Sequence, residues 1–127
     1  MTPGQSILVV DDDDDFREAL AEVLGDAGYP VQTAAGGEEA LARVGEEIPG
    51  LILLDLKMPG IDGFGVIERL RAEPRTSAIP ILVLSAYGFE WESELLGAQG
   101  YIPKASVKLD GIVERVRTAA GDPPMRH

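Results

Sequence analysis

The chain has 127 residues, and its 22 acidic and 11 basic side chains give a net charge of −11 at neutral pH. This length suits a single domain, and 45% hydrophobic with 26% charged residues is typical of a folded globular protein rather than a disordered one. The negative charge argues against nucleic-acid binding, and the lack of cysteine excludes disulfides, thiolate metal sites and a cysteine nucleophile. Without a signal segment or a stretch long enough to enter a membrane, we expect a soluble, cytoplasmic domain.

Short apolar segments predict the strands of a parallel sheet. The three strongest lack polar alternation, which is typical of strands that are buried on both faces. They are Ile7–Val10, Leu51–Leu54 and Ile81–Leu84. A weaker segment, Tyr101–Pro103, predicts a further strand, and Val31–Ala34 is a poorer candidate for an edge strand.

Segments with helical spacing lie between the predicted strands. The segment Phe16–Ala27 carries apolar residues on one helical face. We expect the carboxylates of Asp13–Asp15 to cap the free N–H groups of the first turn of that helix and to offset its dipole. Weaker patterns predict helices around Ala40–Val44 and Phe64–Leu70, and a long last helix includes Leu109–Val116. The alternation predicts five βα units with right-handed crossovers. We expect the domain to span residues 1–120, with residues 121–127 as a tail or the start of a linker.

Polar side chains follow the predicted strands. Asp11 and Asp12 come after the first strand, Asp55 after the second strong one, Ser85 after the next and Lys104 after the last. The carboxyl ends of parallel strands share one edge of the sheet, where ligands bind. Three clustered carboxylates repel one another unless a divalent cation lies among them, and oxygen ligands suit Mg²⁺. An ammonium and a hydroxyl suit the phosphoryl oxygens, so the sequence predicts phosphoryl transfer to an aspartate.

Four motifs in this order resemble the response-regulator receiver domains of two-component signalling. They are ILVVDD at residues 7–12, LILLDLKMPGIDG at 51–63, ILVLSAYG at 81–88 and GYIPK at 100–104. The resemblance extends from Ser6 to about Ala120. It implies the flavodoxin-like (βα)5 three-layer sandwich, with a parallel sheet of five strands in the order 2-1-3-4-5.

The resemblance also implies a role for each residue at the sheet edge. Asp55 corresponds to the phosphoacceptor, which takes a phosphoryl group from a sensor histidine kinase or a phosphotransfer protein. Asp12 corresponds to a direct Mg²⁺ ligand and Asp11 to one that acts mostly through water, with Asp55 and the backbone carbonyl of Lys57 as further ligands. Lys104 corresponds to the residue that pairs with a phosphoryl oxygen.

Ser85 and Tyr101 correspond to the switch residues of such domains. In this interpretation the Ser85 hydroxyl moves toward the phosphoryl group and Tyr101 turns inward, which reshapes a face where a downstream protein binds. The sequence does not identify that effector. The domain would catalyse only its own phosphorylation and dephosphorylation.

Two departures from the family pattern bear on this interpretation. Ala105 follows Lys104 where the family has a proline with a cis bond, and a cis bond before a non-proline residue costs roughly 3 kcal/mol. The segment between Ser85 and Lys104 is also shorter than usual, which predicts a shortened or irregular fourth helix. Phe89 and Trp91 lie in this segment, and we expect them to fold back over the core rather than to anchor a partner.

Two other functions compete with this interpretation. A receiver-like module that binds proteins without phosphorylation would keep the fold. Such a module would have no physical reason to retain every residue of the site, and this sequence has Asp11, Asp12, Asp55, Ser85 and Lys104. A phosphatase of the haloacid-dehalogenase type also carries an Asp-x-Asp motif after its first strand, which Asp11 and Asp13 fit loosely. Asp15 stands where such enzymes have a small hydroxyl or apolar residue.

Overall fold

A computed structural model shows a parallel sheet with helices on both faces, and it describes residues 6–85, 98–104 and 107–123. The sheet has five strands in the order β2-β1-β3-β4-β5, and all neighbouring pairs are parallel. The strands are β1 (Ile7–Val10), β2 (Val31–Ala34), β3 (Leu51–Asp55), β4 (Ile81–Ser85) and β5 (Gly100–Pro103). The predicted fold and strand order are confirmed, and the poorest candidate, Val31–Ala34, is the edge strand β2.

Side-chain hydrogen bonds cap the first turn of two of the described helices. The helices are α1 (Asp14–Asp26), α2 (Gly37–Glu46), α3 (Gly63–Ala72) and the C-terminal helix (Leu109–Ala120). The Asp13 side chain accepts a hydrogen bond from the Phe16 N–H at 3.2 Å, which confirms the predicted cap of α1. Asp62 caps α3 in the same way, since its side chain accepts a hydrogen bond from the Gly65 N–H at 2.9 Å.

The core lies on both faces of the sheet, which explains the continuous apolar segments. Successive residues of β1 enter opposite layers: Leu8 and Val10 pack on one side, Ile7 and Val9 on the other. The first layer is completed by α2 and α3, including Val44, Ile67 and Leu70. The second layer is completed by α1 and the C-terminal helix, including Leu20, Leu24, Ile112 and Val116.

The register of the sheet brings the strand ends to one level. Val10 is opposite Leu54, and Asp55 is opposite Leu84. Beyond the last apolar residues the strands remain joined, because the Asp11 N–H donates to the Ala34 carbonyl at 3.1 Å. The residues that follow the strands therefore emerge side by side at the carboxyl edge.

The end of the C-terminal helix is held to the body of the domain. The Tyr29 hydroxyl donates a 2.6 Å hydrogen bond to the carbonyl of Gly121, which has a φ of 85° and terminates the helix. We propose that residues 1–120 form the domain, whose last helix this contact with Gly121 closes, and that residues 121–127 form a tail or the start of a linker.

Two predictions fall on segments outside the described residues. The predicted fourth helix, with Phe89 and Trp91, lies between β4 and β5 in residues 86–97, and the Lys104–Ala105 bond joins a described residue to one that is not. Both remain predictions. Among the described residues, none of the helices has the length and apolar character needed to span a membrane.

Candidate metal and phosphoryl-transfer site

Three carboxylates meet at the carboxyl edge of the sheet. Asp11 follows β1 directly, Asp12 comes next, and Asp55 is the last residue of β3. Each offers an oxygen that lies within 4.8 Å of the other two. Asp11 is 0% exposed and Asp55 is 6% exposed, whereas Asp12 faces solvent. The donor set fits Mg²⁺, which takes a few carboxylate oxygens and keeps water on the exposed side.

Lys104 supplies the positive charge of this cluster. Its Nζ lies 2.8 Å from Asp11 Oδ2 and 3.9 Å from Asp55 Oδ2, and the side chain is 18% exposed. The same ammonium lies 4.4 Å from the centroid of the Phe16 ring, a cation–π contact from the first turn of α1. Lys104 therefore neutralises chiefly Asp11 and stands beside Asp55.

Hydrogen bonds from the backbone orient the two buried carboxylates. The Asp13 N–H donates to Asp11 Oδ1 at 2.9 Å, and the Lys57 N–H donates to Asp55 Oδ1 at 3.2 Å. The other oxygen of each carboxylate, Oδ2, is the one that contacts the Lys104 ammonium. Each buried aspartate is thus held by the loop that follows its own strand.

The environment of Asp55 makes it an unusual carboxylate. Burial raises its pKa, as does the negative charge of Asp11, and Asp12 adds a smaller effect in the same direction. The Lys104 ammonium and the Lys57 N–H oppose these effects without cancelling them, so that the pKa is raised from 3.8 to about 7. Without a cation, Asp55 therefore keeps its proton to a much higher pH than an ordinary aspartate does.

We expect the protonation of Asp55 to make the free energy of unfolding of the metal-free protein depend on pH. The folded state holds the Asp55 proton more tightly than the unfolded chain does, because the pKa is about 7 rather than 3.8. The resulting stabilisation is complete below pH 3.8 and is lost as the pH rises through 7. Asp55→Asn should therefore gain roughly 1–2 kcal/mol relative to wild type by neutral pH, a value reduced for solvent screening.

Urea unfolding of both proteins with a chelator, from pH 4 to pH 8, measures this difference. Asp26→Asn at the exposed end of α1 is the matched control and should show no such trend. Parallel curves for wild type and Asp55→Asn would contradict the expected pKa.

The remaining residues predicted for the site are Ser85, Lys57 and Tyr101. Ser85 is buried at the end of β4, and its carbonyl accepts a hydrogen bond from the Lys104 N–H at 2.9 Å. Lys57 adjoins the cluster through its backbone, while its side chain is exposed. Tyr101 lies within β5 opposite Val83, half-buried against the core, rather than at the edge itself.

One residue near the cluster was missed from the sequence. Arg17 of α1 donates to the Asp11 carbonyl oxygen at 2.8 Å and to Asp14 Oδ1 at 2.6 Å, and its side chain is only 13% exposed. From the pattern alone, Arg17 is an ordinary helix-surface residue. The available signal was its position, as the first basic residue after five consecutive acidic ones.

A doubly wound parallel sheet with an acidic carboxyl edge places the chain in the flavodoxin-like class of α/β proteins. The family model for the response regulator receiver domain matches residues 7–117, and the chain belongs to this family. Members of the family act in two-component signalling, interact with histidine kinases and bind Mg²⁺ at an acidic pocket.

The chain is similar to receiver domains from several bacteria. It is 47% identical over 81 residues to the transcriptional regulatory protein AfsQ1 of Streptomyces coelicolor. The aligned residues cover 64% of this chain and 35% of AfsQ1. The chain spans about a third to two fifths of the length of several curated relatives that it matches.

Solved structures show the same fold over nearly the whole chain. The chemotaxis response regulator CheY4 of Vibrio cholerae is 30% identical, with a TM-score of 0.84 over 90% of this chain and 97% of that chain. The response regulator protein TrrA of Thermotoga maritima, solved in complex with Mg²⁺-BeF, is 37% identical, with a TM-score of 0.79 over 91% and 98% of the two chains.

Proposed function

We propose that the chain accepts a phosphoryl group on Asp55 from a phosphohistidine of a sensor histidine kinase or phosphotransfer protein. An Asp55 carboxylate oxygen forms the new bond to phosphorus while the bond between phosphorus and the histidine nitrogen breaks. The donor imidazole keeps that electron pair and takes up a proton from solvent. The observation that carries this proposal is the position of Asp55, which is within 4.8 Å of Asp11 and Asp12 and 3.9 Å from the Lys104 ammonium.

Different residues of the chain would bind the cation and the phosphoryl group in this reaction. Asp11, Asp12, Asp55 and the Lys57 carbonyl would hold Mg²⁺, which when bound offsets the negative charge of the phosphoryl oxygens. Lys104 would bind one of these oxygens, and its ammonium lies 2.8 Å from Asp11 Oδ2 and 3.9 Å from Asp55 Oδ2, which supports this role. The cation and Lys104 both favour the ionised form of Asp55, which is the form that attacks phosphorus.

Ser85 and Tyr101 are proposed to transmit the change. Ser85 is buried beside the cluster at the end of β4, and Tyr101 lies one strand further from Asp55, on β5. A shift of the Ser85 hydroxyl toward a phosphoryl oxygen would free space for Tyr101 to turn inward. The signal would then pass by protein contact to an effector of unknown identity, and the net charge of −11 argues that this chain itself binds no nucleic acid.

The phosphatase alternative is weakened by the position of Asp13. Its side chain caps α1 and is exposed, whereas the acidic cluster consists of Asp11, Asp12 and Asp55. The two acids of the Asp-x-Asp motif therefore do not share a pocket.

Intact-mass measurement after incubation with acetyl phosphate and Mg²⁺ tests the proposal. We expect wild type and the control Asp26→Asn to gain one phosphoryl group, and Asp55→Asn to gain none. Removal of Mg²⁺ with a chelator should also prevent the gain. If wild type gained no mass and beryllofluoride with Mg²⁺ left its amide spectrum unchanged, the phosphorylation-independent binding module would replace this proposal.

A further inference from the structure

Arg17 joins the end of β1 to the first turn of α1. One guanidinium nitrogen donates to the Asp11 carbonyl oxygen at 2.8 Å, and another donates to Asp14 Oδ1 at 2.6 Å. Both contacts come from a side chain that is 13% exposed. An arginine can make both contacts at once because its planar guanidinium offers several donors in a fixed geometry. A lysine ammonium lacks this geometry.

The contact to the Asp11 carbonyl bears directly on the acidic cluster. The Asp11 side chain is already held at Oδ1 by the Asp13 N–H and at Oδ2 by Lys104. Arg17 holds the main chain of the same residue, and the next peptide leads to Asp12. The backbone that presents both aspartates is therefore fastened to α1 through Arg17.

We propose that Arg17 is a positioning residue for the divalent-cation site, because it fixes the backbone that presents Asp11 and Asp12. This inference rests on the proposed function of the cluster. Replacing a residue that orients a metal ligand without contacting the metal itself typically weakens metal affinity by about tenfold or more.

The sign of the effect separates positioning from simple charge. A positive charge beside the cluster repels a cation, so charge alone predicts that Arg17→Gln binds a divalent cation more tightly than wild type. Positioning predicts weaker binding. Arg17→Lys keeps the charge but loses the two-pronged contact, so charge alone predicts no change and positioning again predicts a loss.

Mn²⁺ titration followed by electron paramagnetic resonance, with Mg²⁺ as competitor, measures this affinity without any phosphorylation. We expect the dissociation constant to rise about tenfold in Arg17→Lys and at least as much in Arg17→Gln. Arg43→Gln is the control, since it removes the same charge from α2, where Arg43 pairs with Glu39. Its affinity should match or slightly exceed that of wild type. Titrations are run well below each unfolding midpoint, so that a general loss of stability does not alter the result.

The outcomes distinguish this inference from the proposed function. Weaker Mn²⁺ binding by Arg17→Lys, with wild-type affinity in Arg43→Gln, supports positioning. Wild-type affinity in Arg17→Lys overturns it and leaves the proposed function intact. If Arg17→Gln does not fold, the lysine variant still decides the matter. A wild-type protein that binds neither cation at millimolar concentration overturns both proposals.

Discussion

Lys104→Met should lose roughly 3 kcal/mol of its free energy of unfolding at pH 7 without divalent cations. The substitution leaves Asp11, which is 0% exposed, and Asp55 without the ammonium that lies 2.8 Å and 3.9 Å from them. Mg²⁺ should restore most of the loss, because it brings positive charge back to the same carboxylates. Urea unfolding with a chelator or with Mg²⁺ measures both effects.

The pH dependence of this loss identifies its cause. Without Lys104, the pKa of Asp55 should rise further above its value of about 7, because the ammonium is the main influence that lowers it. The loss should therefore be larger at pH 9, where wild type holds an ionised Asp55 beside Lys104, than at pH 5, where Asp55 is protonated in both proteins. Lys108→Met, at an exposed lysine just before the C-terminal helix, is the matched control and should change stability little. An equal loss at pH 5 and pH 9 would show that the ionisation of Asp55 is not its cause.

Gly63→Ala should destabilise the protein by roughly 2–3 kcal/mol and weaken cation binding. A Cβ on Gly63 would lie 2.5 Å from the Asp55 carbonyl oxygen and 2.7 Å from the Leu56 Cα. Both are backbone atoms, so no side-chain rotation relieves the contact. Either α3 moves away from the sheet or the end of β3 moves with Asp55. Urea unfolding and Mn²⁺ titration measure the two effects.

Gly25→Ala provides the control for this prediction. Gly25 also lies in a helix, but a Cβ there meets nothing within 4 Å. The substitution should raise the free energy of unfolding by about 0.5 kcal/mol through helix propensity, and it should leave Mn²⁺ affinity unchanged. If Gly63→Ala behaved like Gly25→Ala, the close approach of α3 to β3 would not be a constraint on the site.

Much of the fold was predictable because burial on both faces leaves a clear pattern. Residues Ile7–Val10, Leu51–Leu54 and Ile81–Leu84 are apolar at every position, since their side chains enter both layers of the core. Val31–Ala34 gave a weaker signal because β2 lies at the edge and is only partly buried. The acidic cluster followed from the same logic, since residues after parallel strands must share an edge.

Other features depend on side-chain positions that no periodic pattern encodes. The sequence places Lys104 at the edge, but its preference for Asp11 over Asp55 arises from where the ends of β1, β3 and β5 lie. The cation–π contact with Phe16 joins α1 to the end of β5, and no spacing rule links these elements. Arg17 acts through a backbone carbonyl, a type of contact that leaves no trace in residue types.

The ion pair between Asp11 and Lys104 also has a consequence for how the molecule is made. The two residues are 93 positions apart in sequence, so a chain growing on the ribosome exposes Asp11 long before Lys104 emerges. Until β5 joins the sheet, Asp11 lacks the ammonium that lies 2.8 Å from its carboxylate in the folded domain. A chain that stops before β5 therefore lacks Lys104, and under the proposed function its pocket is completed only when β5 is added to the sheet.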